Sequence, residues 1–494
     1  MKRKMEKGLA IGIVTMLVIM AFSTVPTNVG ADSSPSSAPE LWATAQVEEA
    51  FLATNCIGEN PELDANPTEL PELTPYWVDL VDAENGDVSN YGEGVYIAVL
   101  DTGLVQTWTT FLDESQFATE YGKGFSHDVT WDSEAGDFVW SELKDDRGYL
   151  TGKYGHGHGT HVASTIKGFK LSAFDGWKWV RGVAPHATII PVLVLDTWFL
   201  SCPDSEYPGC HNGYVKFAGG TWEMIAAGIN YIADLAADEL EGEPIIISMS
   251  LGGNEPNDDV EKAINRAIKN GVIVVASAGN NGNEGMGWPG AYPQVISCAA
   301  GGWSDQWMGD PYYLFWRNDT KDVPEKLKTE DSHGNDWQIF LNDFSSRANK
   351  SMGQKPWYLD VTTPGTYILG PYQPSIYWNT ARNGWYYYTP SWWWVSGTSM
   401  AAPHVSGIVA MILNEWEKDK DECKLPKCCK KLKKYRQPIV EMILKLAALG
   451  PLPTHNATVY DNGWNEYTHT WKRKDWGAGW LEANQALCVY KKLS

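Results

Sequence analysis

The sequence predicts an α/β fold, a mostly parallel central sheet with helices on both faces, and three observations carry that reading. Five apolar runs read as buried strands: "VYIAVLD" (95–101), "ATIIPVLVLD" (187–196), "PIIISMSLG" (244–252), "GVIVVASAGN" (271–280) and "QVISCAAG" (294–301). Between them the apolar period turns helical. Residues 221–237 put Trp222, Ile225, Ala226, Ile229, Ile232, Ala233 and Ala236 on one face, and residues 257–270 align Val260, Ala263, Ile264, Ala267 and Ile268 before Gly271. Three of the runs also end in polar or Gly-rich turns, at Asp101–Gly103, Ser250–Gly253 and Gly279–Gly282. Parallel sheets place functional residues at such strand ends.

Residues 1–31 read as a signal peptide, with Lys2, Arg3, Lys4 and Lys7 ahead of an apolar run over 9–22 and small residues up to Ala31. That run is shorter than the ~20 residues a spanning helix needs, so a secreted or extracellular protein is expected; left uncleaved, the segment would be an N-terminal membrane anchor. Residues 32–75, rich in Pro, Glu, Asn and Ser, read as a polar arm or short propeptide. One domain, 76–494, then carries all five runs, with insertions at about 307–342, 371–394 and 418–436. The second of these contains "YYY" and "WWW".

The formal charge of −22 becomes about −25 once residues 1–31 are removed, which argues against nucleic acid as a partner. No second apolar run of spanning length occurs, so no membrane contact is expected after signal removal, and a monomer is expected. Eight cysteines in an exported chain point first to disulfides, and Cys202 with Cys210, in a Pro/Gly-containing loop, form the expected pair. Cys298 reads as an inert core thiol. Cys423, Cys428 and Cys429 have Cys56 or Cys488 as candidate partners, with a zinc site as the alternative.

The stretch "GHGHGTHVAS" (155–164) holds His156, His158 and His161. As a metal set it lacks a carboxylate ligand between Lys153 and Asp175. A second reading starts from "VSGTSMAAPHVSG" (395–407), where Ser399 opens a helix running through Glu417, so that backbone N–H groups and the helix dipole favour negative charge at its hydroxyl. A lone serine there would be an ordinary N-cap. A weak hydroxyl nucleophile also needs a base and a carboxylate that orients the base. Asp101 at a strand end, a helix-opening histidine and Ser399 supply all three, in the order Asp, His, Ser.

The blocks "IAVLDTG", "HGHGTHVAS", "SMSLGG" with "SAGNNG", and "GTSMAAPHVSG" resemble the subtilisin-like serine proteases, and the resemblance covers roughly Val95 to Lys492. It implies that Asp101 orients the base, that His158, the first histidine of "HGTHVA", transfers the proton, and that Ser399 is the nucleophile. His161 is then a structural residue one turn into the helix and His156 a flanking loop residue. Asn280 matches the oxyanion-stabilising amide. Ser250, Leu251 and Gly252 with Ser277, Ala278 and Gly279 match the walls of the specificity pocket, and Gly287 its floor. No charge lines that pocket, so the expected substrates are proteins or peptides with a large uncharged P1 residue.

The resemblance implies no cofactor for the chemistry. Structural calcium is compatible with it at an unassigned site, and the family's common calcium loop has no clear match in "FKLSAFDGWKWVRGV" (169–183). The "WWW" run reads either as a strand packed on the domain or as the end of an aromatic groove wall formed by Trp385, Tyr386, Tyr387 and Tyr388. Sequons at Asn318, Asn349 and Asn456 permit glycosylation. Two rivals stand beside the secreted serine endopeptidase: an inactive protease-like binding protein and a metal-dependent hydrolase.

Overall fold

Each of the five apolar runs forms a strand of one central sheet, and four further segments complete it. In chain order these are β1 (Tyr96–Asp101), β2 (Lys123–Ser126), β3 (Lys144–Arg147), β4 (Thr188–Leu193), β5 (Ile245–Met249), β6 (Ile273–Ser277), β7 (Ile296–Trp303), β8 (Ile339–Leu341) and β9 (Val361–Pro364). They lie side by side in the order β8-β7-β6-β5-β1-β4-β2-β3, with β9 also paired to β7. All pairings are parallel except β7 with β8 and β2 with β3 at the two edges. Every residue of β5 and β6 is buried, which is why these strands read as continuous apolar runs rather than alternating ones. The computed structural model describes residues 70, 72–83, 90–173, 176–207, 209–303, 339–373, 377–380, 383–386, 390–421, 435–449, 456–460 and 466–494.

The principal helices are α1 (His158–Lys167), α2 (Trp222–Leu235), α3 (Asp258–Lys269), α4 (Thr398–Asp421), α5 (Arg436–Ala447) and α6 (Ala483–Leu493). Thr221 caps α2 by accepting from the Met224 N–H, and Asn257 caps α3 by accepting from those of Asp259 and Val260. Acids in the first turn of α3 and Arg266 and Lys269 in its last turn suit the helix dipole. Neighbouring side chains of β1 serve opposite faces of the sheet. Leu100 lies against Gly228 of α2, whereas Asp101 lies against Gly159 of α1. The strand thus delivers a carboxylate to one layer of helices and an apolar anchor to the other.

Several expected boundaries move. Ile339–Leu341, inside the predicted first insertion, is a buried edge strand of the main sheet. Trp392–Trp394 form the strand reading of the "WWW" run: Ser391–Val395 pairs antiparallel with Ile368–Tyr372, and Trp392 and Trp393 are buried. The helix opened by Ser399's neighbour continues to Asp421, into the third predicted insertion. Across 169–183, the position expected for a calcium loop, Gly168–Ala173 and Gly176–Arg181 make an antiparallel strand pair, and Glu72–Leu73 joins it as a parallel third strand. The charged side chains described in that pair are Lys170, Lys178 and Arg181, a set that does not suit a calcium ion. Just after Leu73, Tyr76 is buried and its hydroxyl donates to the Thr366 carbonyl at 2.7 Å.

Cys202 and Cys210 are two neighbouring thiols rather than the expected bridge. The Cys202 Sγ donates to the Asp204 carbonyl at 3.0 Å and the Cys210 Sγ to the Cys202 carbonyl at 3.6 Å. Cys298 is fully buried, and burial pushes its thiol up to about 12, as expected of an inert core thiol. Cys56, Cys423, Cys428 and Cys429 lie outside the described residues, as do residues 1–69, most of the first insertion, Tyr387 and Tyr388. Among the described residues no helix is long and apolar enough to cross a membrane.

Candidate active site

Asp101 ends β1 and is wholly buried. Its carboxylate accepts from the Thr102 N–H at 2.7 Å, while its carbonyl accepts from the N–H groups of Val194 and Leu195. The His158 Nδ1 lies 2.8 Å from one Asp101 oxygen and 3.0 Å from the other. A carboxylate there holds the imidazole proton on Nδ1 and leaves Nε2 as the basic nitrogen. The His158 Nε2 is buried and has no hydrogen-bond partner.

Ser399 sits in the first turn of α4, wholly buried. Its Oγ donates to the Ser250 carbonyl at 3.1 Å, not to His158, and the Ser250 Oγ donates back to the Ser399 carbonyl at 2.7 Å. The end of β5 and the start of α4 are thereby locked together. Asn280 follows β6, and its Oδ1 accepts from the Thr398 N–H at 2.9 Å and the Thr398 hydroxyl at 2.8 Å. Both bonds hold the amide by its oxygen, which aims its NH2 donors the other way. The sequence reading missed Thr398, although it stands directly before Ser399.

The pocket segments also come together. Gly253 and Trp288 exchange backbone bonds at 2.8 and 2.9 Å, and the Gly287 N–H donates to the Ala278 carbonyl at 2.8 Å. The segments 250–253, 277–279 and 287–288 are thus neighbours, with Gly287 beside both Gly252 and Gly279. A Cβ on Gly287 would meet the Gly253 and Ala278 carbonyls only at ordinary contact distance, 3.4 and 3.9 Å. No backbone clash reserves that position for glycine; a larger side chain would simply occupy the space.

The three histidines do not form a ligand set. His158 turns to Asp101, whereas the His161 Nε2 donates to the Ile368 carbonyl at 3.0 Å. Among the described residues no group of three or more His, Cys, Asp or Glu side chains is placed to hold a metal ion. Burial pushes His161 down to about 3, consistent with a neutral structural residue. His156 lies in the loop that leads into α1. It is buried, its Nδ1 accepts from the His158 N–H at 3.3 Å, and its Nε2 lies 3.4 Å from the Tyr372 hydroxyl.

A buried carboxylate–imidazole pair, a serine in the first turn of a long helix and an amide held by its oxygen thus lie on elements of one α/β sheet. Residues 92–435 match the sequence profile of the subtilase family, and the chain belongs to that family. Thermitase of Thermoactinomyces vulgaris is 28% identical over 324 residues, which cover 66% of this chain and 76% of that one. Subtilisin DY of Bacillus licheniformis is 24% identical over 351 residues, covering 70% and 86%. The major intracellular serine protease of Bacillus subtilis is 31% identical over 262 residues, covering 52% and 55%. The protein is accordingly a serine endopeptidase.

Proposed function

We propose that this endopeptidase works through an acyl-enzyme on Ser399, with His158 as base, Asp101 as its orienting carboxylate and Asn280 as an oxyanion donor. The observation that carries the reading is the bond from His158 Nδ1 to a wholly buried Asp101. When substrate arrives, the Ser399 Oγ leaves the Ser250 carbonyl and attacks the scissile carbon, and its proton passes to the His158 Nε2. Catalytic hydrogen bonds that are slack in a free enzyme commonly tighten in this way. The substrate oxygen, now negative, is met by the Asn280 NH2 and the N–H groups at the start of α4. His158 then protonates the leaving amine, the C–N bond breaks, and water repeats the attack on the ester to release Ser399.

The uncharged backbone segments that meet beside Gly287 suit a large uncharged P1 side chain. A basic, signal-like start supports action outside the cell on proteins or peptides. Intact-mass analysis with a slowly turned-over peptide ester tests the mechanism. Wild type should gain the acyl mass and Ser399→Ala should not; an adduct that persists in Ser399→Ala contradicts the assignment. Gly287→Val should shift preference from Phe or Leu at P1 toward Ala, and an unchanged P1 profile would remove Gly287 from the pocket.

A further inference from the structure

The helix that carries His158 starts without a capping side chain of its own. Its cap position is Gly157, whose N–H donates to the Gln373 carbonyl at 2.7 Å. A Cβ there would stand 2.3 Å from the Gln373 backbone nitrogen, so Ser, Thr, Asp or Asn cannot occupy the position that normally caps a helix. The first N–H groups of α1 are nevertheless met. Thr102 Oγ1 accepts from Gly159 at 2.9 Å, and the His156 Nδ1 accepts from His158 itself at 3.3 Å.

For Nδ1 to accept, the His156 proton must sit on Nε2, which then donates to the Tyr372 hydroxyl at 3.4 Å. Burial holds His156 well below the ordinary histidine value, and the nearby His158 adds to that effect, so the ring stays neutral and Nδ1 stays an acceptor. Tyr372 stands edge-on to both His156 and His161, with ring centroids 5.1 and 5.7 Å apart. Its strand, Ile368–Tyr372, takes the His161 Nε2 on the Ile368 carbonyl and pairs with Ser391–Val395, which leads into α4 and Ser399. Gly370 is needed for this close approach, since a Cβ would lie 2.6 Å from the Ser164 hydroxyl and 2.8 Å from the His161 ring. One hairpin thus grips the start of the His158 helix and feeds the start of the Ser399 helix.

We infer that His156 and Tyr372 are positioning residues for the reaction: His156 caps the His158 helix from two residues upstream, and the Tyr372 hydroxyl accepts the Nε2–H of the tautomer that lets it do so. The inference rests on His158 being the base. Losing a cap loosens the first turn, which tilts His158 relative to Asp101 without touching the substrate pocket. His156→Ala should lower kcat by about fivefold with KM within about twofold, and His156→Asn, whose amide oxygen can accept from the same N–H, should restore most of the loss. Tyr372→Phe keeps the ring and removes only the hydroxyl. It should lower kcat about twofold to threefold in the wild-type background and have no further effect beside His156→Ala.

Unchanged kcat in His156→Ala and Tyr372→Phe would overturn the inference. So would loss in both His156→Ala and His156→Asn with a parallel fall in melting temperature, which is the mark of packing alone. If His156→Ala does not fold, Tyr372→Phe still decides: it should lower kcat in the wild-type background and have no effect beside His156→Asn, whose amide oxygen accepts without help from the hydroxyl, and an equal loss in both backgrounds contradicts the inference. Failure of the base assignment itself would look different, because His158→Ala would then retain activity whatever His156 does.

Discussion

At the strand ends of the central sheet, Asp101, His158 and Ser399 are buried and fixed largely by bonds to backbone or to one another. A short distance along the chain from these residues the construction changes. Asp196–Ser201 and Tyr214–Gly219 form one antiparallel hairpin and Tyr377–Asn379 and Gly384–Tyr386 another. They meet through rings, Phe199 with Trp385 at 5.0 Å and His211 stacked on Trp378 at 4.8 Å, with Trp385 Nε1 donating to the His211 carbonyl. Tyr154, four residues before His158, also packs on Phe199. These rings are partly exposed, and Tyr214 remains 43% exposed. A polar site set by sheet register tolerates little displacement, whereas the hairpins held by ring contacts present partly exposed aromatic area.

The sharpest way to break this contrast is to remove one group from each region. His158→Ala or Ser399→Ala should lower kcat by about 10⁴-fold or more, a magnitude known from the subtilisin triad, with KM little changed. Trp385→Ala, on the wall, should lower kcat/KM for long peptides by about tenfold while leaving cleavage of a short activated ester nearly intact. Equal losses on both substrates would mean that the wall supports the site rather than the substrate, and the contrast would fall.

A smaller effect separates the regions by pH. His156, His161 and His404 are held neutral by burial, His161 at about 3 and His404 at about 4. Unfolded histidine titrates near ~6.5, so the stability tied to these groups is fully present above that pH and is lost as pH falls toward 4 and 3. Melting temperature should therefore drop between pH 7 and pH 5, and His161→Asn should flatten that slope; a flat wild-type profile contradicts it. The smallest change concerns the outer hairpin. Oxidation that joins Cys202 to Cys210 should raise stability by at most about 2 to 3 kcal/mol and leave kcat on a short ester unchanged. A fall in kcat on bridging would tie that hairpin to the chemistry.

How much of this was legible in the sequence follows the same division. The strand runs were readable because a sheet covered on both faces needs unbroken apolar residues, and the ends of β1, β5 and β6 named Asp101, Ser250 and the segment before Asn280. The apolar faces of 221–237 and 257–270 marked two helices, whose caps, Thr221 and Asn257, the structure then supplies. What was hidden depends on pairing across long chain separations. Nothing local says that Tyr372 will lie on His156, that Ile339–Leu341 belongs to the main sheet, or that Gly168–Ala173 pairs with Gly176–Arg181. "WWW" allowed a strand or a groove wall, and only its pairing with Ile368–Tyr372 separates the two.

The central claim, that Ser399 is the nucleophile and His158 its base, is tested most directly by labelling with a small serine-directed phosphonate and mapping the adduct by peptide mass. The account predicts one adduct, on Ser399, formed rapidly in wild type and in Trp385→Ala and very slowly in His158→Ala, with no protection by chelators. An adduct on another serine, equal labelling rates in wild type and His158→Ala, or loss of peptidase activity on chelation with no adduct at Ser399 would contradict it.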